Sequence, residues 1–304
     1  MPPQPIRLSS GNLLADRRYE WAREVRDQGD LAAAAGLLAQ TLELVPGYAP
    51  AWFTLGEVRD RLGEREAALA AFSRARETDP LDRHGAGLHL IRLGAQPASA
   101  MPKDYLRTLF DGYAANFDRA LTEGLNYRAP ELLRRAVEVT GKPMKFGAAL
   151  DLGCGTGLGG AAFRASADWL VGVDLSPAML AQARAKGLYD RLIESEILTF
   201  LAVEAGIKAR YHLVLAADVF VYLDDLAPVL NAVAQVLGGI LAFSVETHGG
   251  HGVVLQDTLR YAHDVAHVRG ALAAAGLKPI SLDPTSTRTE KGIAVPGLVV
   301  LAES

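Results

Sequence analysis

The feature that most constrains the fold is a short stretch near the middle of the chain, where an apolar run ends in an acid and a loop with alternating glycines follows. Residues 148–157 read AALDLGCGTG, and small side chains continue over 158–165. This order predicts a strand, a tight turn and a helix, the first unit of a doubly wound α/β sheet. Glycine permits the turn and the close approach of a ligand. Free N–H groups at the helix start favour a carboxylate or phosphate there.

The loop alone leaves two ligand classes open. A shifted pattern, Gly155-x-Gly157-x-x-Gly160, fits the dinucleotide fingerprint and would suit a nicotinamide oxidoreductase. Two acids favour S-adenosylmethionine instead. Asp151 directly precedes the loop, where it would face a pyrophosphate unfavourably but could receive an ammonium group. The next predicted strand ends at Asp174, and an acid there can accept hydrogen bonds from both ribose hydroxyls.

Two segments carry a family resemblance. Residues 151–157, DLGCGTG, and 171–180, VGVDLSPAML, resemble the first two motifs of class I S-adenosylmethionine-dependent methyltransferases, and the likeness covers roughly Phe110 to Leu301. It implies a seven-stranded, Rossmann-like α/β sheet and methyl transfer from S-adenosylmethionine, with S-adenosylhomocysteine as the product. It also implies the residues that contact the cofactor, namely Asp151, Gly153, Cys154, Gly155, Gly157, Asp174, Leu175, Met179, Glu196, Ile197, Ala217, Tyr113 and Phe117.

The resemblance implies that these residues contact different parts of the cofactor. The glycine loop would hold the methionine end, Asp174 the ribose, and Met179 would lie under the cofactor. Glu196 and Ile197 follow the third predicted strand and would contact the adenine. The acid here is Glu, which is longer than the Asp that is commoner in the family.

Two residues are candidates for the chemical step. Asp218 ends the fourth predicted strand, where it would orient or deprotonate an acceptor, or cap the following turn. Phe220 and Tyr222 come next and would line an acceptor pocket. His263 is predicted on the helix after the fifth strand, where it would be either a general base near neutral pH or a surface histidine.

Four histidines raise the question of a metal. His248 and His251 lie in a glycine-rich loop, and His263 and His267 are spaced four apart on the predicted helix. No cysteine or suitably spaced acid accompanies them, and methyl transfer from a sulfonium needs no metal. We therefore expect no metal site.

An aromatic segment precedes the sheet. Phe110, Tyr113 and Phe117 fall on one face of a predicted helix. This face either packs on the catalytic domain or forms a lid over the cofactor, as similar segments do in many class I small-molecule methyltransferases. Both interpretations stay open.

The N-terminal part repeats itself at a shift of 34 residues, the period of tetratricopeptide (TPR) repeats. The matched pairs are Gly29 with Gly63, Asp30 with Glu64, Ala34 with Ala68, Leu38 with Phe72 and Pro46 with Pro80. Each copy is predicted to be two helices, and a third helical piece at about 83–93 would cap the array. The combination resembles the bacterial TPR-containing methyltransferases, which are known mainly as predicted enzymes, so it implies no substrate.

Composition limits the partners. The 304 residues carry a net charge of −4 with 22% charged residues, and no basic run suggests nucleic acid or an anionic membrane. The single cysteine excludes an intrachain disulfide and fits a reducing compartment. No signal peptide or apolar span of membrane length is evident, so we expect a cytoplasmic protein.

These observations predict an all-α array followed by an α/β domain. The predicted boundaries are 1–14 for a loose N-terminus, 15–95 for the TPR-like array, 96–103 for a linker and 104–304 for the methyltransferase domain, divided into 104–145 (lid and N-terminal helices) and 146–304 (sheet core). The predicted activity is methyl transfer to an O or N acceptor on a small molecule or protein, with the array binding a peptide or protein. The alternative is a non-catalytic scaffold that binds S-adenosylmethionine.

Overall fold

The computed structural model describes residues 9–304, apart from the side chains of Thr122 and Glu123. The described chain divides into two compact units, one that ends at Thr108 and one from Leu109 to Ser304. Residues 1–8, which belong to the N-terminal segment predicted to be loose, lie outside the described residues.

The first unit is a helical array. Its helices are α1 (Leu13–Asp27), α2 (Leu31–Leu44), α3 (Ala49–Arg61), α4 (Arg65–Thr78) and α5 (Ala86–Arg92). Gly29 and Gly63 have positive φ in the turns after α1 and α3, one repeat apart. Asp30 and Glu64 follow them as the N-cap residues of α2 and α4. The predicted repeat is therefore also a repeat of turn geometry.

Small and large side chains alternate where the helices of each repeat meet. Ala34 and Ala68 are fully buried, as are Leu38 and Phe72. A Cβ atom at Gly56 of α3 would lie 2.6 Å from the Phe72 ring of α4. Only a residue without a side chain lets the two helices approach this closely.

The second unit is an α/β domain. Its strands are β1 (Phe146–Leu152), β2 (Ala167–Asp174), β3 (Arg191–Glu194), β4 (Tyr211–Ala216), β5 (Leu237–Glu246), β6 (Val253–Leu255), β7 (Tyr261–His263), β8 (Lys278–Pro284), β9 (Thr289–Glu290), β10 (Ile293–Ala294) and β11 (Gly297–Glu303). The division between the two units falls inside α6 (Lys103–Tyr113). The other helices of the second unit come after α6 in the chain. They are α7 (Phe117–Arg119), α8 (Ala129–Val139), α9 (Leu158–Phe163), α10 (Pro177–Lys186), α11 (Ile197–Gly206), α12 (Ala227–Val236) and α13 (Val265–Ala274).

The main sheet has the order β3-β2-β1-β4-β5-β11-β8. Strands β1 to β5 pair in parallel, and β11 is antiparallel to both of its neighbours. The predicted seven strands are present, and β7 and β6 extend the sheet beyond the end of β5. The strand order reverses at β1, so the carboxyl ends of β1, β2 and β4 border one crevice, where ligands bind in open α/β sheets.

Apolar side chains cover both faces of this sheet. In β4, Val214 and Ala216 belong to one buried cluster, whereas Leu213 and Leu215 belong to the other. Successive side chains of a strand point to opposite faces. A strand buried in this way holds its carboxyl end in a fixed position.

Two predicted helical segments differ from the structure. Residues 261–263 form strand β7, and α13 begins only at Val265 because Asp264 caps it, accepting a hydrogen bond from the His267 N–H. His263 and His267 therefore do not share a helix. In the aromatic segment, α6 ends at Tyr113 and a 3-10 turn follows, so Phe117 does not continue the same helical face.

Candidate active site

The glycine loop between β1 and α9 has the conformation that its sequence requires. Gly153, Gly155 and Gly157 have φ of +61°, +52° and +95°, in the left-handed region that favours glycine. At Gly153 a Cβ would also lie 2.7 Å from a methyl group of Val219. At Gly155 the nearest neighbour of a Cβ would be the Phe117 ring at 3.9 Å. The loop thus packs tightly at its start and is open in its middle.

Asp174 connects this loop to the end of β2. One carboxylate oxygen accepts the Gly155 N–H at 2.8 Å, and the other accepts the Ser176 N–H at 2.8 Å. Burial raises the pKa of Asp174, and the two N–H donors oppose that shift. Each oxygen keeps a lone pair that is not used by these two bonds. Leu175, beside it, is half-buried.

Asp151 lies beneath the loop and is almost fully buried. Its side chain is 1% exposed, and Oδ2 accepts a hydrogen bond from the Tyr189 hydroxyl at 2.7 Å. Burial raises the pKa of Asp151 to about 7. Asp151 therefore contacts Tyr189, and its contact with an ammonium group stays a prediction. Cys154 is buried as well, packed against Gly172 of β2.

The other predicted cofactor residues occupy different surroundings. Met179 is fully buried, and its N–H donates to the Ser176 hydroxyl that caps α10. Its contact with the cofactor stays a prediction. Glu196 accepts hydrogen bonds from the N–H groups of Leu198 and Thr199 at 3.1 and 3.0 Å, so its carboxylate caps α11. Its adenine contact stays a prediction.

Ile197 and Ala217 are half-buried beside the apolar clusters. The Ala217 carbonyl accepts a hydrogen bond from the Tyr127 hydroxyl at 3.4 Å. Both residues follow strands of the sheet. Ile197 lies three residues after the end of β3, and Ala217 directly follows β4. They border the carboxyl edge of the sheet, and their contacts with the cofactor stay predictions.

Asp218 is surrounded by hydrogen-bond donors. The Arg260 guanidinium donates to Oδ2 at 2.6 Å, and the hydroxyls of Thr287 and Ser244 donate to Oδ1 at 3.1 and 3.2 Å. The residue has φ of +60°, an unusual value for a side chain other than glycine. Both carboxylate oxygens are thus engaged, which suits an orienting role better than proton removal.

A second acid extends this cluster. Glu246, at the end of β5, lies 2.6 Å from Arg260 Nε in an ion pair without hydrogen-bond alignment, and 3.0 Å from Arg288 Nη2. Arg260 also donates to the Tyr222 hydroxyl at 3.0 Å. Asp218 and Glu246 thereby neutralise the two arginines, and all four side chains are at most 14% exposed.

The predicted base His263 lies in the interior. It is 0% exposed, and burial lowers its pKa to about 4. Its ring stacks on that of His267 at 5.4 Å. Phe220, expected in an acceptor pocket, is also fully buried and packs on Phe243, whereas Tyr222 is half-buried. These positions leave Tyr222 beside the site and remove His263 and Phe220 from it.

The aromatic segment is anchored to the crevice through two acids. Asp111 accepts hydrogen bonds from the Ser176 hydroxyl at 2.5 Å and from the Ala178 N–H at 3.3 Å. Asp118 accepts a hydrogen bond from the Thr156 hydroxyl in the glycine loop and one from Lys186 Nζ at 2.6 Å. These bonds bring residues 110–118 against the loop and α10.

Two aromatic contacts accompany them. Phe110 meets the rings of Phe117 and Tyr222 edge-on, with centroids 6.2 and 5.4 Å apart. Tyr113 is 55% exposed, and its contact with the cofactor stays a prediction. The segment therefore packs beside Tyr222 and the middle of the glycine loop through Phe110 and Phe117.

Family comparison identifies both parts of the chain. Residues 150–239 match the family model described as a methyltransferase domain. The match runs from the end of β1 to the start of β5. Residues 25–89 match the model described as a tetratricopeptide repeat. The predicted order, a TPR array followed by a methyltransferase domain, is confirmed.

A curated relative and two solved structures resemble this chain. Methyltransferase-like protein 27 of Homo sapiens is 38% identical over 112 residues, which cover 36% of this chain and 45% of that protein, less than half its length. An S-adenosylmethionine-dependent methyltransferase from Clostridium acetobutylicum ATCC 824 is 18% identical with a TM-score of 0.47, covering 64% of this chain and 98% of its own. Magnesium protoporphyrin IX methyltransferase from Synechocystis PCC 6803, with bound S-adenosylhomocysteine, is 14% identical with a TM-score of 0.46, covering 73% and 100%.

The described residues, 9–304, contain no group of three or more histidine, cysteine, aspartate or glutamate residues arranged to hold a metal ion. None of their helices has the length and apolar character needed to cross a lipid bilayer.

Several residues at the crevice of the sheet carry little sequence signal of their role. Tyr189 gave no motif signal, although the crowding of small residues around the loop could have suggested a large partner. Arg288 lies in a run of polar residues, 285–291, which gives no sign of a buried partner. Asp111 and Asp118 flank aromatic residues, and the aromatic pattern gives no sign that these two acids bind the loop and α10. Their partners are distant in sequence, so short-range patterns do not reveal the contacts.

Proposed function

We propose that this protein is an S-adenosylmethionine-dependent methyltransferase that acts on an O or N acceptor of a small molecule or a protein. The observation that carries the proposal is the pair of hydrogen bonds that Asp174 accepts from the N–H groups of Gly155 and Ser176. They fix an acid and an open glycine loop side by side at the crevice of the sheet. This is where a nucleoside ligand of an α/β fold binds.

The residues present fit this cofactor. Asp174 has lone pairs for ribose hydroxyls, the open middle of the loop at Gly155 gives main-chain access, and Ile197 supplies an apolar surface for adenine. When bound, S-adenosylmethionine supplies a methyl group activated by its sulfonium. The protein's own contribution is to hold and orient the reactants, and to limit water with Phe110 and Phe117.

The acceptor would approach from the side of Tyr222 and Asp218. Asp218 is held by Arg260, Thr287 and Ser244, so it would orient Tyr222 and the acceptor through Arg260. The Tyr222 hydroxyl accepts from Arg260 and keeps its own proton for donation to an acceptor oxygen. His263 has no part in this proposal because it is buried.

We further propose that the TPR array binds a protein or peptide, either as substrate or as partner. Arrays of this kind present an extended surface for recognition. The match of residues 25–89 to a TPR model supports this role in general. The chemistry of the acceptor does not follow from it.

A non-catalytic binding protein is the second candidate. The observation that favours it is that neither predicted base is free, since Asp218 is bonded to three donors and His263 is buried. Such a protein would bind the cofactor and transfer no methyl group. Cofactor binding is common to both candidates, and turnover separates them.

Titration calorimetry with S-adenosylmethionine, S-adenosylhomocysteine and NAD tests the proposal. We expect saturable binding of the first two ligands and none of NAD. Asp174→Asn should weaken binding about tenfold or more, because an amide cannot accept at both positions. Asp168→Asn, an exposed acid near the opposite end of β2, is the matched control and should bind as the wild type does.

Methyl transfer is then measured with S-adenosylmethionine carrying a labelled methyl group and fractions of small molecules and of protein as acceptors. Label transfer that is lost in Asp174→Asn supports the enzyme. A protein that binds both ligands but labels no fraction supports the scaffold. A folded protein that binds neither ligand refutes both candidates.

A further inference from the structure

Tyr189 occupies the space beneath the glycine loop. It lies between α10 and β3, and its hydroxyl donates to Asp151 Oδ2 at 2.7 Å while it accepts the Gly160 N–H at 3.1 Å. A Cβ atom at Gly160 or Gly172 would come within 2.4 or 2.8 Å of this side chain, and one at Gly157 within 3.1 Å. Three glycines from the loop, α9 and β2 therefore make room for one tyrosine.

We propose that Tyr189 is a positioning residue for cofactor binding, which acts by holding Asp151 as a hydrogen-bonded carboxylate beneath the loop. The proposal rests on the proposed binding of S-adenosylmethionine. Tyr189 does not touch the ligand in this account. Its hydroxyl joins the end of β1, through Asp151, to the first turn of α9, through Gly160. The loop between these two points keeps its shape as a result.

The charge on Asp151 gives the arrangement a chemical consequence. The titratable groups that face it are Tyr189, Cys154, Asp174 and Tyr127, all of them neutral or acidic. Desolvation disfavours its carboxylate form, and the Tyr189 hydrogen bond favours it. The two protonation states therefore exchange near neutral pH. An ionised Asp151 places a negative charge beside the loop, where it attracts the cationic ammonium and sulfonium groups of S-adenosylmethionine.

Removing the hydroxyl should change both the strength and the pH dependence of binding. The experiment is calorimetric titration of the full-length protein with S-adenosylmethionine at a series of pH values from about 5.5 to 8.5. We expect wild-type affinity to rise as the pH increases through about 7. Tyr189→Phe should bind about tenfold more weakly at neutral pH, and the midpoint of its profile should move upward by about one pH unit, because Asp151 loses the donor that favours its charged form.

Two variants serve as controls. Asp151→Asn cannot ionise, so its affinity should be low and independent of pH across the range. Tyr211→Phe removes a hydroxyl that donates to the buried Glu204 at 2.7 Å at the start of β4, away from the crevice. This matched variant should keep the wild-type affinity and midpoint.

The outcomes separate this inference from the proposed function. A wild-type protein that does not bind S-adenosylmethionine at any pH refutes the proposed function. A wild type that binds, with a Tyr189→Phe profile whose midpoint is unchanged, overturns the positioning role alone, even if affinity falls. If Tyr189→Phe does not fold, the test is the affinity of Asp151→Asn for S-adenosylmethionine. An affinity of that variant that still depends on pH also overturns the inference.

Discussion

Asp218 and Arg260 form a buried ion pair, 2.6 Å from carboxylate to guanidinium, that joins the end of β4 to the residue before β7. Arg260 also lies against Glu246 and donates to Tyr222. One side chain thus holds together the ends of two parallel strands and the aromatic residue between them. Asp218 and Arg260 are 42 positions apart in the sequence, so no local pattern predicts their contact.

Arg260→Met should destabilise the protein strongly. The variant leaves Asp218 and Glu246 buried with less compensation, and we expect the free energy of unfolding to fall by about 3 kcal/mol or more. Arg134→Met is the matched control, since Arg134 pairs with Glu138 on the surface of α8 at 2.9 Å, and should cost less than about 1 kcal/mol. Urea denaturation followed by circular dichroism measures both. Equal losses would contradict a structural role for the buried pair.

Gly153→Ala should harm both stability and cofactor binding. The residue has φ of +61°, and the added Cβ would meet Val219 at 2.7 Å, so we expect a loss of about 2–4 kcal/mol from strain and overpacking. Gly187→Ala has a similar φ of +63° at the end of α10 with no atom within 4 Å of a Cβ, and should cost only about 1 kcal/mol. Denaturation and calorimetry compare them. A harmless Gly153→Ala would refute the close packing.

Gly56→Ala should destabilise the helical array, although alanine is the better helix former. Its Cβ would lie 2.6 Å from the Phe72 ring, so a cost of about 1–3 kcal/mol is expected. Gly36→Ala, in α2 with free space around it, should instead stabilise by about 0.5–1 kcal/mol. Thermal unfolding tests the opposite signs. The double variant Gly56→Ala with Phe72→Leu should lose less than the sum of its single changes, and simple additivity would count against the contact.

His263 should make stability depend on pH. Burial lowers its pKa in the folded state to about 4, below the usual value of about 6.5 in an unfolded chain. Between these pH values the unfolded chain binds more protons, so unfolding becomes more favourable as the pH falls, by up to about 3 kcal/mol in total. His263→Phe keeps a ring in the core and should flatten this part of the profile. His251→Gln, in an exposed loop, should not change it. Denaturation at several pH values is the measurement, and parallel profiles for the wild type and His263→Phe would oppose the assignment.

The parts of the fold that the sequence predicted are those with a short-range physical signature. Alternating glycines after Asp151 require a tight loop, and the repeat of Gly29 at Gly63 requires the same turn twice. The misassigned segment around His263 is only three residues of strand, too short for a periodic pattern to appear. Its helix start depends on the Asp264 cap, a single polar residue among several.

The candidate site was predictable only in part for the same reason. Asp174 lies where strand length and loop position placed it. The engagement of Asp218 depends on Thr287, which lies 69 residues away, and that of Asp151 on Tyr189, 38 residues away. Such partners are chosen by the packing of strands and helices that are not neighbours in sequence. A pattern therefore predicts that an acid stands at the crevice but not whether its oxygens are free.

Strand β11 is inserted between β5 and β8, pairing Gly297 with Glu246 and Glu303 with Ile240. During synthesis on the ribosome, β5 is made well before β11. The edge of β5 that will pair with β11 therefore has unpaired N–H and C=O groups until the segments between the two strands and β11 itself have been synthesised. An open strand edge of this kind can pair with another chain. Nascent or shortened chains that lack Gly297–Glu303 should therefore be the forms most prone to aggregate, and the ones most in need of a chaperone.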